Sequence, residues 1–273
     1  MQVQWFPGHM AKTLRQLREG LKLVEAVVEL RDARAPLSTA NPEVDKLTQQ
    51  KERLVVFTKA DLADPQVTED WAEYFSAQGI PFYTVDPRAK ASVKALAEFL
   101  ASRGKRAVKR YMIVGVPNVG KSTLINAIGR RSSAKTGDRP GVTRGLQWVR
   151  VNEHLELLDT PGLLWRKFTP EAALHLSLIG SIDEQRFDVE EAALHLLRIV
   201  EGKRPGSLKE RYGVDYPASN EFPILYDYLG ELARKRGYLR SGGAGDTEKM
   251  AQTLLREFQR GKLGRISLES PRD

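Results

Sequence analysis

One segment constrains the fold of this chain more than any other: GVPNVGKS, residues 115–122. An apolar, β-branched run, RYMIVG (110–115), precedes it, and a helix-forming run, KSTLINAIG (121–129), follows it. The segment matches the pattern G-x-x-x-x-G-K-S, in which a glycine-bearing turn joins a strand to a helix and its backbone amides surround phosphate groups. This context predicts an α/β domain with a phosphate loop.

The rest of the chain divides into two regions of different periodicity. Up to about residue 165, short apolar runs alternate with helical segments, which is typical of a mostly parallel sheet between helices. Strands are predicted at 25–30, 53–58, 80–85, 110–115, 146–151 and 154–159, and helices near 11–22, 43–50, 66–78, 90–103 and 121–130. Beyond Leu164 only helices are predicted, near 170–181, 188–201, 222–236 and 246–260. We therefore expect an α/β domain over residues 1–168 and a small all-α domain over 169–273.

Composition narrows the chemistry and the cellular setting. The chain has no cysteine, which excludes disulfides, thiolate metal sites and cysteine nucleophiles. No apolar run approaches the roughly 20 residues of a membrane helix, and the N-terminus lacks the layout of a signal peptide. We expect a cytoplasmic, monomeric protein without a membrane partner. The 43 basic and 35 acidic residues give a net charge of +8, which favours a polyanionic partner such as RNA.

Each residue type in the phosphate loop has a chemical reason. Gly115 and Gly120 allow the backbone amides to turn inward, and Lys121 supplies a positive charge to the β- and γ-phosphates. The hydroxyl of Ser122 is placed to bind Mg²⁺. Nucleotide contacts are therefore assigned to Asn118, Val119, Gly120, Lys121, Ser122 and Thr123.

A second motif, LLDTPG, ends the last predicted strand. Asp159 is placed to hold Mg²⁺ through a water, and the amide of Gly162 to bond the γ-phosphate, so this segment can differ between triphosphate and diphosphate states. The polar loop before it, TGDRPGVTRG (136–145), contains Thr143, the candidate to complete the Mg²⁺ shell. A connection without any ligand contact is the alternative for that loop.

The third motif, FTKAD (57–61), follows a predicted strand. The carboxylate of Asp61 can accept from the ring N–H and the exocyclic amine of guanine, whereas adenine offers no such pair of donors and would leave the carboxylate unpaired. The stem of Lys59 can cover the base. Thr58 stands where asparagine is commonest, and its hydroxyl can do part of the work of tying this loop to the phosphate loop. The three motifs together predict a GTP site.

The order of these motifs is unusual, because the base-reading TKAD precedes the phosphate loop. A circular permutation leaves such a site intact if the neighbours in the sheet are unchanged. Together with WFPGHMAK (5–12), RDARAPLSTANP (31–42) and GKLGRISLE (261–269), this order resembles the circularly permuted YlqF/YawG family of GTPases over essentially the whole chain. The resemblance implies binding to a precursor of the large ribosomal subunit and its rRNA, a role in late maturation, and RNA contact by the C-terminal helices.

The residue after DTPG is Leu163, where many GTPases have a glutamine that orients the attacking water. A hydrophobic residue there is typical of the family that the chain resembles. Asn118 matches the asparagine that helps bind a catalytic K⁺ in potassium-stimulated GTPases. His9 matches the proposed catalytic histidine of the family, and histidine is suited to water activation near neutral pH. The alternative for His9 is a capping or packing role on the first helix.

Several points stay open at this stage. The loop TVDPRAK (84–90) stands where a further guanine contact is expected, but no residue in it is assigned. The segment ARKRGYLRSGG (233–243) combines basic residues with a tyrosine, which suits RNA, although its charges could equally keep a helix end solvated. Alternative functions are a GTP-dependent rRNA-binding checkpoint protein with little hydrolysis, and a GTPase that acts on another RNA or on a regulatory protein.

Overall fold

The computed structural model describes residues 8–103, 107–129, 146–165 and 167–272, with side chains from residue 12 onward. All the predicted strands occur there: β1 (Ala26–Asp32), β2 (Glu52–Thr58), β3 (Phe82–Thr84), β4 (Lys109–Val114), β5 (Gln147–Asn152) and β6 (Leu155–Asp159). The helices between them are α1 (Gly8–Leu21), α2 (Pro42–Thr48), α3 (Pro65–Ala77), α4 (Lys90–Ser102) and α5 (Lys121–Gly129). The predicted α/β class with a mostly parallel sheet is confirmed.

The strands form one sheet in the order β3-β2-β1-β4-β6-β5. Every neighbouring pair is parallel except β5 with β6, which is antiparallel and contains a register shift between Arg150 and Asn152. β1 lies between β2 and β4 and is buried along its whole length. Parallel strands need helical crossovers, and the carboxyl ends of β1, β2, β4 and β6 therefore meet at one edge.

The later helices are α6 (Pro170–Leu178), α7 (Val189–Lys203), α8 (Ser207–Tyr212), α9 (Phe222–Lys235) and α10 (Thr247–Gln259), with a 3-10 turn at Glu184–Arg186. The sequence pattern did not predict α8 or the 3-10 turn, because neither is long enough to show a helical period. Three of the longer helices begin at a side-chain cap: Thr169 accepts from the amide of Ala172, Asp188 from Glu191, and Asp246 from Lys249. No helix in the described ranges is long and apolar enough to span a membrane.

The described chain forms two compact units. The sheet unit contains residues 8–61, 65–167 and 269–272 as far as they are described, and the helical unit contains Leu62–Asp64 and Phe168–Leu268. Within the helical unit, the amide of Ile266 donates to the carbonyl of Leu62 at 3.0 Å, and Arg265 Nε donates to the carbonyl of Ala63 at 2.9 Å. The short segment after Asp61 therefore packs with the helices, and the last residues of the chain pack with the sheet.

One carboxylate organises the core of the helical unit. Glu257 on α10 accepts from the guanidinium groups of Arg211 and Arg236, at 2.6 Å and 2.9 Å, and from the hydroxyl of Tyr212 at 2.9 Å. Arg236 also lies over the ring of Tyr212, with its guanidinium carbon 5.2 Å from the ring centroid. The charge of Arg236 is thus paired with Glu257 within the helical unit, although in the sequence this arginine stands among the basic residues at the end of α9.

Candidate functional site

The three sequence motifs lie at the carboxyl ends of β2, β4 and β6. The phosphate loop follows β4, DTPG follows β6, and TKAD follows β2. β4 and β6 are direct neighbours, and only β1 separates β4 from β2. The edge formed by the carboxyl ends of strands is where α/β proteins bind nucleotides, so the permuted order of the chain still brings the motifs together.

The phosphate loop has the backbone expected of an anion site. Asn118 and Gly120 have positive φ angles of 58° and 105°, conformations that turn the loop sharply between β4 and α5. The side chain of Asn118 is exposed at the loop, whereas Val119 is buried. Lys121 is only 7% exposed, and its Nζ donates to the carbonyls of Gly115 at 3.2 Å and Val116 at 3.3 Å.

Burial makes Lys121 responsive to pH. Desolvation lowers the pKa of its ammonium group from 10.5 to about 8, although the negative charge of Asp159 opposes this shift. A phosphate group beside Lys121 would favour the charged form in the same way that Asp159 does. A phosphate bound there would therefore change the charge on this side chain near physiological pH.

The DTPG segment is fixed against the phosphate loop. Asp159 pairs with Ile113 in the register of β6 with β4, and the hydroxyl of Thr160 donates to the carbonyl of Ile113 at 2.7 Å. A Cβ added to Gly162 would lie 2.9 Å from the Cα of Pro117 in the phosphate loop. Only glycine allows this approach, so the DTPG segment and the phosphate loop touch at a position that has no room for a side chain.

Leu163 is a core residue. Its side chain is 4% exposed and belongs to a hydrophobic cluster. The other buried members are Leu17, Leu21, Val24, Val27, Val44, Met112, Val114 and Leu158. A side chain in this cluster anchors the end of DTPG, and a glutamine there would bury an amide at a cost of about 1–3 kcal/mol unless it found partners. The leucine therefore suits its position.

The base-reading loop is joined to the phosphate loop by two hydrogen bonds. The hydroxyl of Thr58 donates to the carbonyl of Val119 at 2.6 Å, and Lys59 Nζ donates to the carbonyl of Asn118 at 2.8 Å. Lys59 has a positive φ of 57°, which turns the chain sharply before Asp61. The hydroxyl of Thr58 thus makes the connection for which asparagine is commonest.

A buried ion cluster lies behind this loop, and the sequence motifs did not predict it. Asp32, at the end of β1, accepts two hydrogen bonds from Arg34 at 2.9 Å and 2.8 Å, and its Oδ2 lies 3.1 Å from Lys59 Nζ. Burial alone would raise the pKa of Asp32, but the charges of Arg34 and Lys59 hold this pKa far below its ordinary value. The RDARAP motif, quoted only for its resemblance, thus supplies the anion that holds Lys59.

A second residue missed from the sequence is Arg88, in the loop after β3. Its Nη2 donates to Oδ2 of Asp61 at 2.5 Å, and its Nε donates to Asp86 at 3.2 Å. Within the same loop Val85 is buried, and Asp86 also accepts from the amide of Arg88. Arg88 could have been identified from the sequence, because it is an arginine in the loop where a guanine contact is expected.

Two of the residues assigned from the sequence lie wholly or partly outside the described part of the chain. Thr143 lies outside the described residues, and His9 belongs to the first turn of α1 but its side chain lies outside the described part. Among the described residues no cluster of three or more His, Cys, Asp or Glu forms a ready metal site. Mg²⁺ commonly keeps several waters and takes few protein oxygens, so Ser122 at the start of α5 and buried Asp159 near Lys121 fit its needs.

Comparisons with known proteins agree with this arrangement. The family model described as "50S ribosome-binding GTPase" matches residues 110–213. A protein named Ribosome biogenesis GTPase A from Bacillus cereus is 42% identical over an alignment that covers 100% of this chain and 95% of the relative. Its namesake from Thermotoga maritima is 34% identical, with 99% of this chain and 95% of the relative covered.

Solved structures give the same result. The GNP-bound crystal structure of YlqF from T. maritima superposes with a TM-score of 0.70 at 33% identity, covering 96% of this chain and 99% of that one. A GDP-bound YlqF structure gives a TM-score of 0.71 at 32% identity, covering 95% and 100%. With the motifs assembled at one sheet edge and these relatives matched along their full length, the chain belongs to the Ribosome biogenesis GTPase A (YlqF) family of GTPases.

Proposed function

We propose that this GTPase binds a precursor of the large ribosomal subunit, promotes its late maturation, and hydrolyses GTP faster when bound to it. The assembly of the three motifs, with Thr58 bonded to Val119, is the observation that carries the GTPase part. The ribosomal part rests on the names of the relatives, which are Ribosome biogenesis GTPase A in B. cereus and Mitochondrial ribosome-associated GTPase 1 in Xenopus tropicalis. We expect the protein to act in the cytoplasm as a monomer.

In this proposal the phosphate groups are held by the phosphate loop. Lys121 and the amides of residues 118–123 bind the β- and γ-phosphates, and the amide of Gly162 detects the γ-phosphate. Ser122, Thr143 and Asp159 would hold Mg²⁺, which when bound neutralises charge between the phosphates. The carboxylate of Asp61 selects guanine, and Lys59, held by Asp32, covers the base.

Two residues replace the missing glutamine. Asn118, exposed at the turn of the phosphate loop, would take part in binding K⁺ beside the phosphates. His9 would orient or deprotonate the attacking water, because an imidazole has a pKa near neutrality. The buried side chain of Leu163 supports this division of labour, since it anchors the segment and leaves water activation to other groups.

We assign the rRNA contact to the helical unit. Arg234 and Lys235 are exposed in the last turn of α9, and Arg240 is exposed in the loop that follows. Tyr238 belongs to the same loop, and Lys249 on α10 places its Nζ 4.6 Å from the centroid of the tyrosine ring. Basic side chains beside an aromatic ring suit single-stranded or irregular RNA.

The experiment that tests the proposed function combines base selection with RNA identification. Asp61→Asn should weaken GDP binding at least about tenfold and favour xanthosine diphosphate, because xanthine presents a carbonyl where guanine presents its amine. Crosslinking of the GTP-analogue-bound protein in cell extract should recover large-subunit rRNA. Unchanged base selection would contradict the assigned site, and recovery of a different RNA would favour the alternative of a GTPase that acts elsewhere.

A further inference from the structure

Asn41, the last residue but one of RDARAPLSTANP, contacts the segment that follows DTPG. Its Nδ2 donates to the carbonyl of Leu163 at 2.9 Å, and its Oδ1 accepts from the amide of Glu43 at 2.9 Å. The residue is 1% exposed. One buried amide thus caps α2 with its oxygen and holds the backbone of Leu163 with its nitrogen.

Leu163 is held from the opposite side as well. Its amide donates to the carbonyl of Gly115 at 3.2 Å, and its side chain lies in the hydrophobic cluster. Both backbone groups of the residue after Gly162 are therefore fixed, one by the phosphate loop and the other by Asn41. Gly162 itself lies against Pro117, so a shift of the backbone around Leu163 would move the Gly162 amide relative to the phosphate loop.

The loop that carries Asn41 is itself held in place by hydrogen bonds. The carboxylate of Glu269, 5% exposed, accepts from the amides of Leu37 at 2.6 Å and Ser38 at 3.0 Å and from the hydroxyl of Ser38. The hydroxyl of Thr39 donates to the carbonyl of Ala35 at 2.7 Å. A loop fixed at these points can hold Asn41 in one place, which a positioning residue requires.

We propose that Asn41 is a positioning residue for the phosphate sensor: by holding the carbonyl of Leu163 it fixes the backbone that follows Gly162, and so keeps the Gly162 amide directed toward the γ-phosphate. This inference rests on the proposed function, in which the Gly162 amide detects that group. GDP has no γ-phosphate, so the effect of Asn41 falls on triphosphate binding and hydrolysis. The motif RDARAPLSTANP then has a function at each end, with Asp32 holding Lys59 and Asn41 holding the sensor.

The test uses two variants that keep the helix cap. Asn41→Asp retains an oxygen that can cap α2 but has no donor for Leu163, and Asn41→Ser retains a capping oxygen on a side chain one bond shorter, which withdraws its hydroxyl from Leu163. We expect both to raise the Kd of a non-hydrolysable GTP analogue about 5- to 20-fold, within the range of a lost buried hydrogen bond, while the Kd of GDP stays within about twofold. Thr48→Ala is the matched control, since its hydroxyl bonds within α2 to the carbonyl of Val44, and it should change neither Kd.

The outcomes separate this inference from the proposed function. Equal weakening of GDP and the GTP analogue by the Asn41 variants, or no change in either, would overturn the positioning role. Gly162→Ala tests the sensor itself and should lower GTP turnover. If turnover is unchanged in Gly162→Ala, the sensor in the proposed function is wrong; if it falls while the Asn41 variants keep the wild-type ratio of affinities, only the inference fails.

Discussion

The hydroxyl of Thr58 donates to the carbonyl of Val119 across 2.6 Å, and this bond joins the base-reading loop to the phosphate loop. Thr58 lies at the end of β2, and Val119 lies beyond the end of β4. In the sheet, β1 separates these two strands. The carbonyl of Arg31 near the end of β1 lies 3.3 Å from the same hydroxyl. A single side chain at the end of β2 therefore contacts both β1 and the phosphate loop, and it ties the TKAD segment to the phosphate loop.

Thr58→Val removes the donor and keeps the shape of this buried side chain. Losing the bond leaves the carbonyl of Val119 unsatisfied, which costs about 1–2 kcal/mol, so we expect GDP affinity to fall roughly 5- to 30-fold. Calorimetric titration with GDP measures this change in affinity. Thr58→Ser keeps the hydroxyl and should bind within about threefold of the wild type; a loss in Thr58→Ser with none in Thr58→Val would show that the methyl group, and not the bond, matters.

We expect Arg88 and guanine to compete for Asp61, because a guanidinium offers donors to a carboxylate as the guanine edge does. Arg88→Ala should therefore tighten GDP binding about two- to fivefold, the range of an exposed ion pair, despite the loss of a positive charge. Arg110→Ala is the charge-matched control, since this exposed arginine pairs with Glu156. Weaker GDP binding in Arg88→Ala would mean that Arg88 assists the nucleotide.

The lowered pKa of Lys121 predicts that nucleotide affinity depends on pH. Between about 8 and 10.5 the unfolded chain keeps more protons on this lysine than the folded chain does, so its contribution to the free energy of unfolding rises with pH in that window. Phosphate binding needs the charged form, so GDP affinity should fall about tenfold from pH 7 to pH 9. Titrations at pH 7, 8 and 9 measure this fall.

The control for this pH dependence is guanosine, which lacks phosphates and so does not engage the Lys121 charge. Its affinity should change much less than that of GDP between pH 7 and 9. A GDP affinity that is constant over this range would contradict the shifted pKa. A parallel fall for guanosine would assign the titration to the base or its reader.

Glu269 near the C-terminus stabilises the sheet unit through Leu37 and Ser38. Glu269→Ala leaves buried donors without their acceptor, and we expect a loss of about 2–4 kcal/mol in the free energy of unfolding, measured with urea. Arg272→Ala is the control in the same tail, because the pair that this exposed arginine forms with Asp70 is worth about 0–1 kcal/mol. A loss below that of the control would show that the tail is not anchored through Glu269.

The sequence allowed prediction of those features that depend on local pattern. Strand runs and the motifs GVPNVGKS and TKAD indicated the α/β class and the place of the nucleotide site, because apolar runs and glycine turns act locally. The partners of Asp32, Asn41 and Arg88 could not be predicted. Each contacts a residue that is distant in sequence or on another strand end, and only the strand order brings them together.

The surroundings of Leu163 could not be predicted for the same reason, because the residues that pack around it are distant in sequence. In the sequence, Leu163 stands where many GTPases have a glutamine that orients the attacking water. In the structure its side chain lies in the cluster that contains Leu17 and Val44, which belong to α1 and α2. Burial of this kind depends on how helices pack on the sheet, and one residue's identity does not reveal it.

GTP turnover decides whether the site that contains Leu163 hydrolyses GTP when the protein is bound to the large ribosomal subunit. Turnover is measured with and without purified large subunits, in KCl and in NaCl. We expect stimulation by at least about tenfold in KCl, a modest share of what charge-neutralising groups supply in GTPases, and less in NaCl. If GTP still binds but turnover stays at the basal rate with subunits in KCl, the result would contradict subunit-stimulated hydrolysis and favour a checkpoint protein.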